Sequence, residues 1–108
     1  MNTKEYYISE IDKLSEDMIT KKHEYIDTEH KVCFNGFIAK LTGTVEYDED
    51  IMCMENQIVD AICQEYDSID TLSKINKIHE SFANCEIGFN EAKRRFKMAI
   101  RLDGEIEQ

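Results

Sequence analysis

Residues 75–99 carry the most regular pattern in this chain, an apolar position at alternating steps of three and four residues. The positions are Ile75, Ile78, Phe82, Cys85, Phe89, Ala92, Phe96 and Ala99. This spacing predicts a helix with a heptad-like apolar stripe. Phenylalanine recurs every seven positions with Cys or Ala between, which suits side chains that interlock with a facing helix. Another helix must therefore cover Phe82, Phe89 and Phe96.

The length of this helix limits the shapes that the chain can adopt. If residues 70–102 form one helix, it is about 50 Å long. A compact domain of this size has a radius of gyration of only about 13 Å. We therefore predict that the helix kinks, lies along an equally long first helix, or extends into a second subunit, with Gly88 as the weak point. The resulting hypothesis is a self-associating protein, most simply a homodimer.

Residues 3–27 also show helical periodicity, with charged side chains between the apolar ones. The apolar positions are Tyr7, Ile11, Leu14, Met18 and Tyr25, with Ile8, Ile19 and Ile26 widening the stripe. This pattern predicts one long amphipathic helix. The chain contains no proline that would interrupt it.

Residues 31–47 allow two interpretations. Asn35-Gly36 is a strong hairpin signal, because both residues accept a positive φ. The hairpin would place Lys31 directly opposite Lys40, which is unfavourable. A helix would begin at Asp27 or Thr28, align Phe34, Phe37, Ile38 and Leu41, and end at Gly43. We favour the helix and keep the hairpin as the alternative.

A third helix is predicted from Asp48 or Asp50 to about Tyr66, with Asp67, Ser68 or Asp70 capping the next one. It places Ile51, Met54, Ile58, Ala61 and Ile62 on one side. The predicted fold is all-α, an elongated helical hairpin or a three- to four-helix bundle forming one domain over 1–108. The alternative is α+β, with a short hairpin or meander at 31–47.

Composition places the chain among small globular proteins that are not inserted in membranes. It has 108 residues, 42% of them hydrophobic, and a net charge of −10. No run of about 18 apolar residues predicts a membrane span, and the N-terminal residues do not form a signal peptide. We therefore expect a cytoplasmic protein with reduced thiols at Cys33, Cys53, Cys63 and Cys85.

Motifs for catalysis and for cofactor binding are weak. The sequence contains no phosphate-binding loop, dinucleotide glycine pattern, G-x-S-x-G elbow or H-E-x-x-H helix. Asp27, His30 and Cys33 lie three residues apart, a spacing that could bring metal or thiol chemistry together on a helix. Cys33 or Cys63 activated by His30 or His79 is a further arrangement that folding could create. We predict no enzymatic activity, no metal and no cofactor.

Charge is unevenly distributed along the chain. Residues 41–73 contain nine acids and no base, whereas residues 92–102 contain five bases and no acid. The bases are Lys93, Arg94, Arg95, Lys97 and Arg101. In a structural role they would complement the C-terminal end of the last helix, or meet the acidic segment across the bundle or between subunits.

The acidic segment leads to the main functional hypothesis, a non-enzymatic protein-binding module that inhibits or regulates a larger intracellular protein. Its surface would consist of Glu46, Asp48, Glu49, Asp50, Glu55 and Asp60. Such a surface can steer a basic partner and occupy a site meant for nucleic acid. Direct binding of nucleic acid is not expected, because the net charge repels it.

Two alternatives remain open at this point. The basic cluster 93–101 could hold the phosphates of an anionic nucleotide at a subunit interface, with Tyr6, Tyr7 or Tyr25 stacked on the base. The apolar stripe could instead build a purely structural or assembly subunit. The short, acidic, proline-free composition is in the style of accessory proteins of phages and mobile elements, which would place the protein in a host cytoplasm.

Overall fold

The computed structural model confirms the all-α class. It describes residues 3–22, 25–27, 29, 31–43 and 51–104, with only the backbone for residues 51–55. In this part of the chain, the helices are α1 (Lys4–Asp12), α2 (Phe34–Thr42), α3 (Ile51–Glu65), α4 (Ile69–Ala83) and α5 (Phe89–Arg101), with a 3-10 turn at Glu16–Met18. A single cluster of buried side chains includes members of all five helices. None of the helices in these residues is long and apolar enough to cross a membrane.

Helix α1 is much shorter than the predicted helix over 3–27. Thr3 caps its start, with Oγ1 accepting the N–H of Tyr6 at 3.1 Å, and the helix ends at Asp12. Beyond the 3-10 turn the backbone pairs with a distant segment, with the N–H of Val32 donating to the carbonyl of Met18 and the N–H of Thr20 to the carbonyl of Val32, both at 3.0 Å. The prediction is wrong beyond Asp12, because side-chain spacing alone does not register contacts with residues far along the chain.

The chain after the 3-10 turn is held by pairing between distant residues. Val32 forms isolated bridges, parallel with Ile19 and antiparallel with Ile26. Cys33 donates its backbone N–H to the carbonyl of Tyr25 at 3.2 Å. These contacts place the backbone of Tyr25 directly against the start of α2.

Helix α2 confirms the helical interpretation of residues 34–42, and the hairpin at Asn35-Gly36 is wrong. The helix is capped by Cys33, whose Sγ accepts the N–H of Gly36 at 3.3 Å, and not by Asp27 or Thr28. It ends at Gly43 with φ 70°, as predicted. Residues 44–47 lie outside the described residues.

Gly36 has a packing role and not a turn role. A Cβ atom built on it would lie 2.0 Å from the carbonyl oxygen of Tyr25. Gly36 therefore lies where two backbone segments approach closely. Glycine suits such a position because it has no Cβ atom, which is a different reason from its use in turns.

Helices α3 and α4 follow the predicted pattern. Ile58, Ala61 and Ile62 are buried. The side chain of Ser68, one of the predicted caps, accepts the N–H of Asp70 at 3.3 Å at the start of α4. The predicted caps of α3, Asp48 and Asp50, lie in the undescribed stretch 44–50.

Of the three outcomes predicted for a helix over 70–102, the structure shows an interruption beside Gly88, because the chain breaks between Ala83 and Phe89 into α4 and α5. Cys85 has φ 60°, and Gly88 is extended before α5 begins. The break lets α5 pack against α4 and α1. The radius of gyration is 13.1 Å, the value expected of a compact domain and not of a rod.

The phenylalanine stripe is largely covered by helices of the same chain. Phe96 stacks on Phe34 with ring centroids 4.7 Å apart, and Phe34 lies 6.3 Å from Phe82. Phe82 and Phe96 are buried, while Phe89 is half-buried and meets Phe82 edge-on at 5.9 Å. The covering helix is α2, whose Phe34 lies between the two halves of the stripe.

Substituting Gly36→Ala should destabilise the fold by about 3 kcal/mol or more, although alanine is favoured over glycine in a helix by about 1 kcal/mol. The reason is the backbone clash with Tyr25, which only a shift of α2 or of its neighbouring loop would relieve. Urea unfolding followed by circular dichroism measures the difference.

Gly88→Ala is the matched control. Gly88 has φ −79°, and an added Cβ there meets nothing within 4 Å. We expect a change below about 1 kcal/mol at this position. Equal effects of the two substitutions would contradict the close approach at Gly36.

Candidate functional site

The predicted acidic surface lies mostly outside the described residues. This applies to Glu46, Asp48, Glu49 and Asp50, and to the side chain of Glu55. Asp60 is exposed on the outer side of α3. The acidic run 46–50 immediately precedes the first residue of α3, Ile51, and negative charge is favoured at the N-terminal end of a helix.

The acids that follow Asp60 in the 41–73 segment are Glu65, Asp67 and Asp70. The exposed carboxylate of Asp67 lies 4.0 Å from the ammonium of Lys4. Asp60 and Asp70, both exposed, have no ion-pair partner among the residues that the structure describes. Within these residues, the acidic segment is only weakly compensated by the rest of the chain.

Two lysines of the basic cluster bind the C-terminal end of α1. Lys93 donates to the carbonyl oxygens of Asp12 and Leu14 at 2.7 and 3.0 Å, and its ammonium lies 5.8 Å from the ring centre of Phe89. Lys97 donates to the carboxylate of Asp12 at 2.6 Å, and this hydrogen bond lowers the pKa of Asp12. A helix C-terminus attracts cations, so these contacts join α5 to α1.

Two arginines of the cluster share one acid. Glu91 accepts from Arg94 at 2.9 and 2.6 Å in a forked contact, and from Arg95 at 2.9 Å. These hydrogen bonds lower the pKa of Glu91 from 4.5 to about 2. Glu91 lies one residue before the acid-free stretch 92–102. Its spacing of three residues from Arg94 and four residues from Arg95 was the signal in the sequence for these ion pairs.

The bases of the cluster are therefore divided between two sets of contacts. Lys93 and Lys97 are directed at α1, while Arg94 and Arg95 are directed at Glu91. Arg101 is exposed and follows Lys97 by four residues, so it lies on the same side of α5 as Lys93 and Lys97.

Two of the residues considered for thiol chemistry, Cys33 and His79, lie in the core. Burial raises the pKa of the Cys33 thiol to about 11. His79 is buried, with Nε2 3.1 Å from the carbonyl oxygen of Lys22 and its ring edge-on to Phe34. His30 lies outside the described residues, and Cys63 is exposed. A protonated thiol is a poor nucleophile, so the surroundings of Cys33 suit packing and capping.

Asp27 is engaged by the backbone. Burial acts to raise its pKa, but the N–H groups of Lys31 and Glu29, each donating at 2.9 Å, outweigh burial and lower it. This carboxylate shapes the loop before α2. In the described part of the chain, no group of three or more His, Cys, Asp or Glu residues is arranged to hold a metal ion.

Two buried polar residues that sequence reasoning missed hold distant segments together. Asn35 connects α2 with α4 and with the end of α3. Asp103 accepts from the N–H groups of Asp67 and Ser68 at 2.8 and 3.0 Å and from the hydroxyl of Thr71 at 2.5 Å. Their partners are more than thirty residues away in sequence, so no local pattern reveals them.

An open groove of about 500 Å³ lies beside α2. Its apolar lining comes from Met18, Val32, Phe37 and Leu41, and its charged lining from Asp17, Glu29, Lys31 and Lys40. An apolar floor with both signs of charge at its rim is typical of a protein contact surface. It does not resemble a phosphate site, which concentrates donors of one sign.

Comparisons with protein-family models, with curated proteins and with solved structures find no match to this chain.

The stability of the protein should depend on the Glu91 cluster in acid. Because the folded pKa of Glu91 lies below the ordinary value, its ion pairs stabilise the fold above about pH 4.5, and this contribution is lost as pH falls towards 2. Glu91→Gln should therefore lose stability less steeply than the wild type between these pH values. Urea midpoints at pH 7, 4.5, 3 and 2.5 measure the difference, which should shrink in high salt.

Glu86→Gln, an exposed site outside the cluster, is the control and should follow the wild type. Parallel curves for Glu91→Gln and the wild type would contradict the assigned ion pairs.

Cys33 should resist alkylation in the folded protein. With a pKa of about 11 and a buried position, its thiol is almost fully protonated and inaccessible at pH 8. Iodoacetamide followed by peptide mapping should label the exposed Cys63 and Cys85, and should label Cys33 only in denaturant. Labelling of Cys33 as fast as Cys63 would restore the thiol-enzyme hypothesis.

Proposed function

We propose that this chain is a non-enzymatic protein-binding module that inhibits or regulates a larger intracellular protein. The binding surface consists of the acidic residues at the start and outer side of α3. These are Glu46, Asp48, Glu49, Asp50, Glu55 and Asp60. The partner presents a basic groove, such as one that holds nucleic acid.

The observation that supports this proposal most directly is how the basic residues are engaged. Lys93 and Lys97 are bound to the end of α1, and Arg94 and Arg95 are bound to Glu91. Asp60 has no ion-pair partner within the described residues. The chain has a net charge of −10, and four of its bases are used in contacts within the chain, so its acids remain the main charge available to a partner.

The mechanism follows from electrostatics. A run of four acids within five positions, 46–50, directly before a helix gives a dense negative potential over a short distance. This potential accelerates the approach of a basic partner, and the effect falls as salt screens the charges. Such a module inhibits by occupying the groove in place of the phosphates that the groove normally binds.

The surroundings of the other candidate residues favour this proposal over the alternatives. The nucleotide-binding hypothesis needs Arg94 and Arg95 to be directed at phosphate, but both are held by Glu91. The thiol-enzyme hypothesis needs a low pKa at Cys33, but burial raises it. The groove beside α2, with its apolar floor, offers additional contact area for a protein partner.

Reversing the charges at Asp48, Glu49 and Asp50 to lysine should abolish most of the partner binding. We expect the association rate to fall by at least tenfold at low salt, and the salt dependence to weaken. The wild type and the variant are used as baits in the native host, and the association rate with the captured protein is then measured against ionic strength.

The matched control reverses three exposed acids elsewhere, Glu5, Glu16 and Glu86, which changes the net charge equally. It should retain the partner with less than about a threefold change in rate. Equal losses for both triple variants would indicate only a general charge effect. Binding that ignores both the 48–50 reversal and ionic strength would refute the proposal.

A further inference from the structure

An open groove of about 730 Å³ lies between the first turns of α4 and the end of the described chain. Its lining includes Ile69 from the start of α4, Leu102 from the end of α5, and Gly104, after which residues 105–108 follow. Ile69 is 73% exposed and Leu102 is 40% exposed. Exposed apolar side chains that share one groove are a feature of contact surfaces.

The chain reaches this groove at a fixed point. The carboxylate of Asp103 is buried and accepts the N–H groups of Asp67 and Ser68 at 2.8 and 3.0 Å. It also accepts the hydroxyl of Thr71, so the end of the described chain is anchored to the start of α4. Gly104 follows with φ 79°, and a Cβ atom built on it would lie 2.7 Å from Cβ of Asp67. Residue 105 therefore starts about 3.8 Å from a Cα atom that itself lines the groove.

Residues 105–108 are long enough to cross the groove. Extended, this segment spans at most about 14 Å. The α4 positions in the lining extend from Ile69 to Lys77, which is about 12 Å along the helix axis. The segment can therefore reach the lining side chains without a rearrangement of α4 or α5.

The charges of the groove suit an acidic segment. Lys74 and Lys77 line it from α4. The lining also contains two acids, and Asp67 lies 4.0 Å from the ammonium of Lys4. The other acid, Asp70, lies in the first turn of α4, where the helix dipole favours negative charge. The lysines therefore make the α4 side of the groove positive beyond its first turn.

The sequence of the segment matches this lining. Residues 105–107 are Glu-Ile-Glu, one apolar residue between two acids. In an extended segment, successive side chains point to opposite sides. Ile106 can therefore contact the apolar side chains of the groove while the two glutamates are directed at its lysines.

We propose that residues 105–108 bind in this groove as a strap over the start of α4, with Ile106 against the apolar side chains and Glu107 paired with Lys77. The tether favours this segment over a second copy or another protein, because a segment attached at the groove has an effective concentration in the millimolar range. The strap uses none of the residues of the proposed acidic surface, so each proposal stands or fails independently.

A charge-reversal cycle on the full chain tests the strap. Glu107→Lys and Lys77→Glu should each lower the melting temperature by about 2–4 °C at low salt, because each places like charges opposite one another. In the double variant E107K/K77E the opposite-charge pair is restored. Its loss should therefore be smaller than the sum of the single losses by at least about 2 °C.

The matched control combines Glu107→Lys with Lys40→Glu, an exposed position on α2 outside the groove. The losses of these two substitutions should add, because the charges do not meet. The cycle is measured at about 5 and 200 µM protein. A contact within one chain gives the same coupling at both concentrations.

A chain that ends at Gly104 locates the strap. In NMR spectra, its amide signals should differ from those of the full chain at Ser73, Lys74 and Lys77, which are distant from the cut in sequence. The signals of α2 should stay unchanged.

Three outcomes would overturn the proposal. The first is a double variant whose loss equals the sum of the single losses. The second is a shortened chain whose amide signals at residues 73–77 match those of the full chain. The third is a coupling that grows with protein concentration, which would assign the groove to a second copy.

Discussion

The fold depends most on the buried side chain of Asn35, which is 1% exposed. Its amide donates to the carbonyl of Leu72 at 3.1 Å and to the side chain of Asn76 at 2.7 Å, and its carbonyl accepts the hydroxyl of Tyr66 at 2.8 Å. One amide in the first turn of α2 therefore fixes α4 and the end of α3 around it. Leaving such groups unpaired in a core costs about 1–3 kcal/mol each, so the network selects one arrangement of the helices.

The position of α2 determines how the charged residues are used. Phe34 stacks on Phe96 of α5, and α5 in turn lies beside α1. This brings Lys93 and Lys97 to the end of α1, where both find oxygen acceptors of Asp12. The internal engagement of the cations, which supports the proposed role of the acids, is thus a consequence of apolar packing.

The proposed binding surface acts mainly through its electrostatic potential. The acidic residues before and along α3 would attract a basic partner over a distance, an effect that salt weakens. The groove beside α2, with its apolar floor, would add short-range contact area that salt affects much less.

Local patterns in the sequence were sufficient to predict the all-α class, helices in the regions of α2 and α3, the end of α2 at Gly43, and Ser68 as one candidate cap of α4. These follow from spacing and capping, which act between residues a few positions apart. The sequence also identified Asp60 and the basic cluster 93–101 as candidate charged surfaces. Packing between distant segments set the end of the first helix at Asp12, the choice of a break beside Gly88, and the use of Gly36 in a backbone contact with Tyr25. The contacts of Asn35 and Asp103, and those of Lys93 and Lys97 with α1, exist only after helices distant in the chain have packed together, whereas the contacts of Glu91 with Arg94 and Arg95 lie within α5.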